Sequence, residues 1–315
     1  MKNKRHIDIS AATLHILAMV LMLCDHIWAT VIPGNQWLTC LGRLAYPIFA
    51  FMIVEGYFHT RNLRRYVLRL FLFALISEIP FNLMYSASLF YPYHQNVIWT
   101  LLMGLGLIHL NELAKGKGKL WLRVLTAICT TLVGSIAGLL CMVDYHGVGV
   151  ATILVFYFLR GRKWWCLLGQ FAALYYLNVE VLKGLSFEVS VFGMNVMIVQ
   201  QGLALLALIP IWLYRGRQGL RSKAFQYFCY FFYPVHISQD NKAWAKTVPM
   251  PEDSGSSSHY AYLVVDGVNP GLTDLFTRQA RKALQEQQKN SVLQKLRQEP
   301  PARKPAAQKK REPER

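Results

Sequence analysis

Residues 11–32 read AATLHILAMVLMLCDHIWATVI and are apolar almost throughout. A helix of about 22 residues, rising ~1.5 Å per residue, can cross a bilayer core of roughly 30 Å. No small-residue cleavage site follows a short apolar core, so we expect a retained membrane helix rather than a signal peptide. Asp25 and His26 lie within this run. Because charged side chains inside a span are costly, the pair indicates a functional site.

The whole chain has the composition of a membrane protein. Of its 315 residues, 54% are hydrophobic, and the mean hydropathy is +0.25. The apolar residues come in long runs without a period of two, which favours helices. We predict an all-α polytopic membrane protein with about 8–9 transmembrane helices. The expected spans are 11–32, 37–58, 66–85, 96–110, 120–142, 147–159, 164–177, 192–214 and a short ninth at 224–237. The fourth, sixth and seventh are short enough to be re-entrant segments instead.

The distribution of basic residues predicts the orientation. Of the 20 Lys and Arg residues before Ile237, 18 lie in the N-terminus and in alternate loops between the predicted spans. Only Lys183 lies on the opposite side, and Arg43 lies within a span. This bias predicts a cytoplasmic N-terminus. The net charge of +17 therefore reflects topology, and binding to nucleic acid is not expected.

The composition changes after the membrane domain, which we place at residues 1–237. A flexible linker is predicted at 238–272, a polar helix at 273–299 and a disordered basic tail at 300–315. The tail could contact anionic lipid or a partner, or it could be a solvated appendage. All six cysteines lie in apolar runs, so neither a disulfide framework nor a metal site is predicted.

Polar side chains on several predicted spans lie at similar depths. Asp25 and Glu78 lie roughly 10 Å below the outer end of their spans, and Arg43 lies about 9 Å below it. Further polar groups follow at the same side: Asn96, Thr100, Asp144 and His146. We interpret this coincidence as a site in the outer half of the membrane. Pro47 and Pro80 free the carbonyls of residues 43 and 76, which predicts kinks beside the charges.

Adjacent helical residues diverge by about 100°, so Asp25 and His26 cannot point at one atom. Arg43 is the natural partner of Asp25, and this pair could simply lock two helices together. His26 would then face a cavity, although an interhelical hydrogen bond is the alternative.

A second polar cluster follows the second predicted span at its cytoplasmic end. It consists of His59, Arg61, Arg64, Arg65 and Arg69. Each arginine alone is most simply a topology signal. Together they also suit an anionic group such as a phosphate-bearing cofactor.

Six stretches resemble the TraX family, whose members are associated with N-terminal acetylation of conjugative pilin. They are LAMVLMLCDHIW, LGRLAYPIFAFMIVEGYFHTRN, RRYVLRLFLFALISEIPFNLM, NVIWTLLMGLGL, DYHGVGVATIL and FQYFCYFFYPVHI, and they cover roughly residues 14–237. The family is in turn similar to integral-membrane acyltransferases. The resemblance points to Asp25, His26, Arg43, Glu55, Arg61, Glu78, Asn96, Asp144, His146, Tyr233 and His236. The chain departs from the family pattern after YPVH, where polar residues replace aliphatic ones.

The resemblance implies a multi-pass protein of the bacterial inner membrane that transfers acetyl from acetyl-CoA to an exported acceptor such as a pilin-like protein. We expect the arginine cluster to bind the CoA phosphates and His26 to act as general base. Glu78 or Asp144 would hold an ammonium group, and Asn96 or Thr100 would donate to the oxyanion. Transfer through an acetyl-imidazole on His26 stays open. A sugar hydroxyl acceptor, a transporter and a non-catalytic assembly protein are the alternatives.

Overall fold

The computed structural model describes residues 8–30, 36–86, 89–191, 194–220, 222–240, 243–249 and 260–266. Two compact units divide the chain, Met1–Trp244 and Ala245–Arg315. The first unit consists mainly of helices. In chain order they are α1 Ala11–Thr30, α2 Gln36–Gly42, α3 Ala45–His59, α4 Leu63–Ser86, α5 Val97–Gly116, α6 Leu120–Leu140, α7 His146–Phe158, α8 Trp164–Tyr175, α9 Leu208–Leu213 and α10 Lys223–Asp240.

The helical membrane fold class is confirmed. Among the described residues, six helical segments are long and apolar enough to cross a membrane. They are Ala11–Ala29, Gln36–His59, Leu63–Met84, Val97–Gly116, Leu120–Leu140 and Trp164–Leu182. The last reaches this length because α8 continues as a π-helix, Tyr176–Leu182. Two shorter apolar helices, His146–Phe158 and Gln200–Leu213, accompany them.

The predicted span 192–214 is wrong in its first half. A β-hairpin occupies this region, with β1 at Ser186–Val191 and β2 at Met194–Val199 in antiparallel register. A 3₁₀-helix, Gln200–Ala207, then leads into α9. Strand β1, SFEVSV, alternates polar and apolar residues, which is the period-two pattern of a strand, whereas β2, MNVMIV, is apolar except for Asn195. High hydropathy alone does not distinguish this pattern from a helix.

Pro47 produces the break that the sequence predicts. The helix stops at Gly42 and resumes at Ala45, so α2 and α3 are separated by a turn at Arg43 and Leu44. Pro47 has no N–H to donate to the carbonyl of Arg43, which explains why the turn lies here. Pro80, in contrast, lies inside the uninterrupted helix α4.

The core of the first unit lies around α3 and α7. Ile48, Ala50 and Val54 of α3 are buried, and so are Ile153 and Phe156 of α7. Helix α3 packs against α1, α5 and α7. Leucine, isoleucine and valine side chains of α6 are instead exposed. An exposed apolar surface on a long apolar helix is the expected arrangement for a lipid-facing element.

We name the two ends of this bundle for reference. At the basic end the helices meet near residues 59–63, 116–120, 158–164 and 213–223, and Arg160 contacts Glu55 while Arg162 donates to the Tyr214 carbonyl. At the opposite, polar end, residues 95 and 143 form a β-bridge, and the rings of Trp37 and Phe187 are in contact. The charge bias predicts that the basic end is cytoplasmic.

Two further strands, β3 Ala243–Pro249 and β4 Tyr260–Asp266, pair with each other. They lie within the segment predicted as a linker, 238–272. The predicted polar helix 273–299 and basic tail 300–315 lie outside the described residues.

Candidate functional site

Asp25 and Arg43 form an ion pair at the polar end, as predicted. The Arg43 Nη2 atom lies 2.6 Å from Asp25 Oδ1, and their side chains are only 17% and 22% exposed. Thr39 donates its hydroxyl to the same carboxylate oxygen at 2.7 Å. Arg43 also donates to the Thr39 carbonyl at 3.2 Å. This network ties α1 to α2 and to the turn that follows α2.

His26 points away from the ion pair and contacts α10. Its Nδ1 lies 2.7 Å from His236 Nε2, and the two ring planes differ by 16° with centroids 4.8 Å apart, so the rings are nearly coplanar. His236 Nδ1 lies 2.6 Å from the Phe232 carbonyl oxygen. Of the two alternatives for His26, the structure therefore has the interhelical hydrogen bond. Helix α10 persists to Asp240 although the polar residues that depart from the family pattern begin within it.

Glu78 is held by neutral donors rather than by a cation. Its Oε2 accepts from Asn96 Nδ2 and, at 2.9 Å, from Trp99 Nε1. Asn96 also donates to the Ala74 carbonyl and caps α5 by accepting from the Ile98 N–H. Both amide hydrogens of Asn96 therefore already have acceptors. Glu78 Oε1 is buried and has no hydrogen-bond partner in the part of the chain that the structure describes.

Asp144 lies in a strained loop between α6 and α7. Thr100 donates its hydroxyl to the Asp144 carbonyl at 2.7 Å, so this hydroxyl already has an acceptor. Asp144 Oδ1 lies 3.5 Å from His94 Nε2. His146 follows with its ring centroid 6.4 Å from that of His94. The φ angles of Met142, Tyr145 and His146 are 51°, 59° and 47°, in the left-handed region that these residue types rarely adopt.

Two residues of this end, His94 and Tyr46, were not candidates from the sequence, whereas His236 belongs to the family pattern. His94 lies beside Asp144, His236 pairs with His26, and Tyr46 stacks on Tyr145 with centroids 4.2 Å apart. The Tyr46 hydroxyl is buried without a partner. Of these three residues, only His236 is indicated by the sequence, because it belongs to the family pattern.

A cavity of about 830 Å³ opens at the basic end. His59, Thr60, Arg61 and Arg69 line its entrance, and Met19, Met22, Leu101, Phe232 and Tyr233 line its depth. His26 and His236 do not line the cavity, but the lining residue Tyr233 has its ring centroid 6.2 Å from that of His26 and 5.7 Å from that of His236. The cavity thus runs from the basic cluster towards the histidine pair.

Only part of the predicted arginine cluster reaches this cavity. Arg61 and Arg69 line it, whereas Arg64 and Arg65 are exposed and do not. The Arg69 guanidinium lies 5.7 Å from the Tyr230 ring centroid, and its buried Nε has no hydrogen-bond partner. His59 is held by the Glu55 carbonyl at 2.8 Å. Within the described part of the chain, no group of three or more His, Cys, Asp or Glu side chains could hold a metal ion.

The family model described as "TraX protein" matches residues 10–238. The chain belongs to the TraX family. The match contains every residue of the clusters described above, from Asp25 to His236. A second model, "Protein of unknown function (DUF3849)", matches residues 233–285.

The chain is also similar to a curated protein of Dichelobacter nodosus named "Probable fimbrial assembly protein FimC, serogroup H1". The two are 29% identical over 248 residues, which cover 74% of this chain and 95% of that protein. No solved structure matches the chain. Family and relative together support a pilus- or conjugation-related membrane protein.

Proposed function

We propose that the protein is an integral-membrane acetyltransferase of the bacterial inner membrane. It takes acetyl from acetyl-CoA at the basic end and transfers it to the amine of an exported acceptor at the polar end. The observation that carries this proposal is the cavity, which begins among His59, Arg61 and Arg69 and ends at Tyr233 beside the histidine pair.

The chemistry of the cavity wall fits CoA. Arg61 and Arg69 are cations at the entrance, and the unpaired Nε of Arg69 is a buried donor suited to a phosphate oxygen. Further in, Met19, Met22 and Leu101 form an apolar lining for the pantetheine arm. From Ala12 to Met22 the wall of α1 extends by about 15 Å at ~1.5 Å per residue. The acetyl thioester would therefore arrive next to Tyr233 and His26.

The residues of the polar end can perform amine acylation. His26 accepts a proton from the acceptor amine, and because the ordinary pKa of an α-ammonium is near 7.7, a sizeable fraction of the acceptor is already neutral at neutral pH. The amine nitrogen then attacks the thioester carbonyl, so that a C–N bond forms and the C–S bond breaks. The nitrogen loses its second proton, the CoA thiolate leaves as a thiol, and one proton is released overall for an acceptor that starts as the ammonium.

The electrostatics of the polar end favour a cationic acceptor over a neutral hydroxyl. Arg43 compensates the charge of Asp25, but Glu78 is bound only by the neutral donors Asn96 and Trp99. Glu78 Oε1, which has no partner among the described residues, can accept a hydrogen bond from an ammonium group. This hydrogen bond would be stronger than one from a neutral hydroxyl because donor and acceptor carry opposite charges. The name of the Dichelobacter relative, a fimbrial assembly protein, supports a pilin-like acceptor.

Acetyl transfer by the full-length protein in lipid vesicles tests this proposal. We expect transfer from acetyl-CoA to a peptide with a free N-terminal amine and none to the same peptide with a blocked amine. His26→Ala should insert normally but lose about 10²–10⁴-fold in rate. Transfer that survives in His26→Ala would contradict the role of His26.

A matched pair of double variants tests the cofactor entrance. Arg61→Ala with Arg69→Ala should raise the KM for acetyl-CoA by at least about 10-fold, since two charged contacts are lost. Arg64→Ala with Arg65→Ala removes the same charge from exposed positions outside the cavity and should change that KM by less than about 3-fold. Equal effects in the two variants would argue against a cofactor site in this cavity.

A non-catalytic pilus assembly protein is the second candidate, and the name of the relative favours it. In that case His26→Ala would keep both pilus formation and any acceptor modification unchanged. Mass spectrometry of exported proteins from cells with the wild-type or His26→Ala protein distinguishes the two.

A further inference from the structure

We propose that His236 is a positioning residue that fixes the tautomer of His26, so that Nδ1 carries the proton and Nε2 carries the lone pair. This inference rests on the proposed acetyl transfer, in which His26 is the base. It assigns a role to α10, the helix that the sequence predicts as a short ninth span at 224–237.

The hydrogen-bond chain determines the proton positions. The Phe232 carbonyl can only accept, so the contact of 2.6 Å requires a proton on His236 Nδ1. A neutral His236 then has its lone pair on Nε2. The contact of 2.7 Å between this atom and His26 requires a proton on His26 Nδ1. In neutral His26 the remaining ring nitrogen, Nε2, is then the basic atom.

The surroundings of His236 favour the neutral ring. His236 is 6% exposed, and it stacks on Phe232 with centroids 4.7 Å apart. Tyr233 covers another side at 5.7 Å. An imidazolium with no carboxylate among these neighbours would pay the desolvation cost of a buried charge. Phe232 and Tyr233 therefore enclose a neutral His236, which accepts from His26 and donates to the Phe232 carbonyl.

This hydrogen-bond chain ends where the proposed reaction takes place. Phe232 and Tyr233 form the deep wall of the 830 Å³ cavity, and both contact His236. Holding one tautomer removes the fraction of His26 molecules that would present a protonated Nε2 to the acceptor. Carboxylates and carbonyls hold catalytic or metal-binding histidines in the same way in other proteins. Here the Phe232 carbonyl fixes the tautomer of His236, and His236 in turn fixes the tautomer of His26.

Two substitutions separate this role from mere packing. His236→Phe keeps an aromatic ring that can pack against Phe232 but has no acceptor for His26. His236→Gln lacks the aromatic ring but has an amide oxygen that can accept from His26 Nδ1–H. His109→Ala is the control, because His109 is an exposed histidine that contacts Tyr57 outside the cavity.

The kinetic readout is acetyl transfer by the full-length variants in vesicles. We expect His236→Phe to lose about 100-fold in kcat with the KM for acetyl-CoA unchanged within about 2-fold. His236→Gln should keep at least about one tenth of kcat, and His109→Ala should match the wild type. An active Phe variant with an inactive Gln variant would overturn the inference in favour of packing.

The second readout is independent of activity. Spectra of protein labelled with ¹⁵N-histidine report the tautomer of each ring, and the His26 signals are assigned by their loss in His26→Ala. We expect the Nδ1–H form in the wild type and in His236→Gln, and a shift towards the Nε2–H form in His236→Phe. An unchanged tautomer in His236→Phe would overturn the inference. A wild type that transfers no acetyl would refute the proposed function, while its spectra would still decide the role of His236.

Discussion

Two carboxylates at the polar end, Asp25 and Glu78, are bound in opposite ways. Asp25 is neutralised by Arg43 at 2.6 Å and receives the Thr39 hydroxyl as well. Among the described residues, Glu78 receives only the neutral donors of Asn96 and Trp99, and its second oxygen has no hydrogen-bond partner. The first carboxylate is committed to holding α1 against α2. Glu78 is held in place by hydrogen bonds, but no cation neutralises its charge among the described residues, so it is the better candidate for binding a cationic group.

Removing the partner of Asp25 should have the largest effect on stability. Arg43→Met leaves a largely buried carboxylate without its counter-charge, so we expect the free energy of unfolding to fall by about 3–5 kcal/mol. A denaturant titration in detergent measures it. The double variant with Asp25→Leu should recover more than half of the loss. A drop below about 1 kcal/mol for Arg43→Met would remove the distinction between the two carboxylates.

Crowding Asp25 should have the next largest effect. A Cβ atom at Gly42 would overlap the Asp25 side chain, so Gly42→Ala should destabilise by about 1–3 kcal/mol. Gly106→Ala is the matched control, because nothing lies within 4 Å of a Cβ built there. It should be neutral or stabilise α5 by up to about 1 kcal/mol. Equal losses in the two variants would mean that contact with Asp25 is unimportant.

Neutralising Glu78 should affect acceptor binding more than folding. In Glu78→Gln the side-chain oxygen still accepts from Asn96 and Trp99, so stability should change by only about 1 kcal/mol. The KM for an amine acceptor should rise about 10–100-fold, since a charged hydrogen bond of about 1.5–3 kcal/mol is lost. Kinetics in vesicles together with the titration check both values. A folding defect as large as that of Arg43→Met would make Glu78 a structural carboxylate like Asp25.

The smallest effect is expected at an exposed ion pair of the basic end. Lys115 contacts Glu112 at 2.6 Å, but their side chains are 44% and 27% exposed. Lys115→Met should therefore cost less than about 1 kcal/mol, and salt should reduce the difference further. A loss comparable to that of Arg43→Met would show that exposure does not rank these pairs.

The sequence predicts the helical framework and one of these two carboxylate sites well. Hydropathy locates most helices, Pro47 predicts the break at Arg43, and matching depth pairs Arg43 with Asp25. These inferences succeed because they depend on local geometry and on the cost of a buried charge. The hairpin at 186–199 is not predicted, since an apolar strand and an apolar helix have similar hydropathy.

The contacts that complete the site depend on long-range packing. His236 lies 210 residues from His26 in the sequence, and only the fold brings them within 2.7 Å. Likewise, the sequence does not separate Arg61 and Arg69 from Arg64 and Arg65, because the direction of each side chain depends on how α4 packs. The donors of Glu78, Asn96 and Trp99, are uncharged, so pairing opposite charges along the sequence does not identify them.

Met142, Tyr145 and His146 adopt left-handed backbone angles, so the loop between α6 and α7 is conformationally constrained. Each such residue costs about 1–3 kcal/mol, which the packed helices on both sides must offset. An epitope or fluorophore inserted into this loop would release Asp144 from the hydroxyl of Thr100 and from His94. The exposed turn at Gly118 has open space around it and would accept the same insertion. A reporter of membrane sidedness belongs in the turn at Gly118, not beside Asp144.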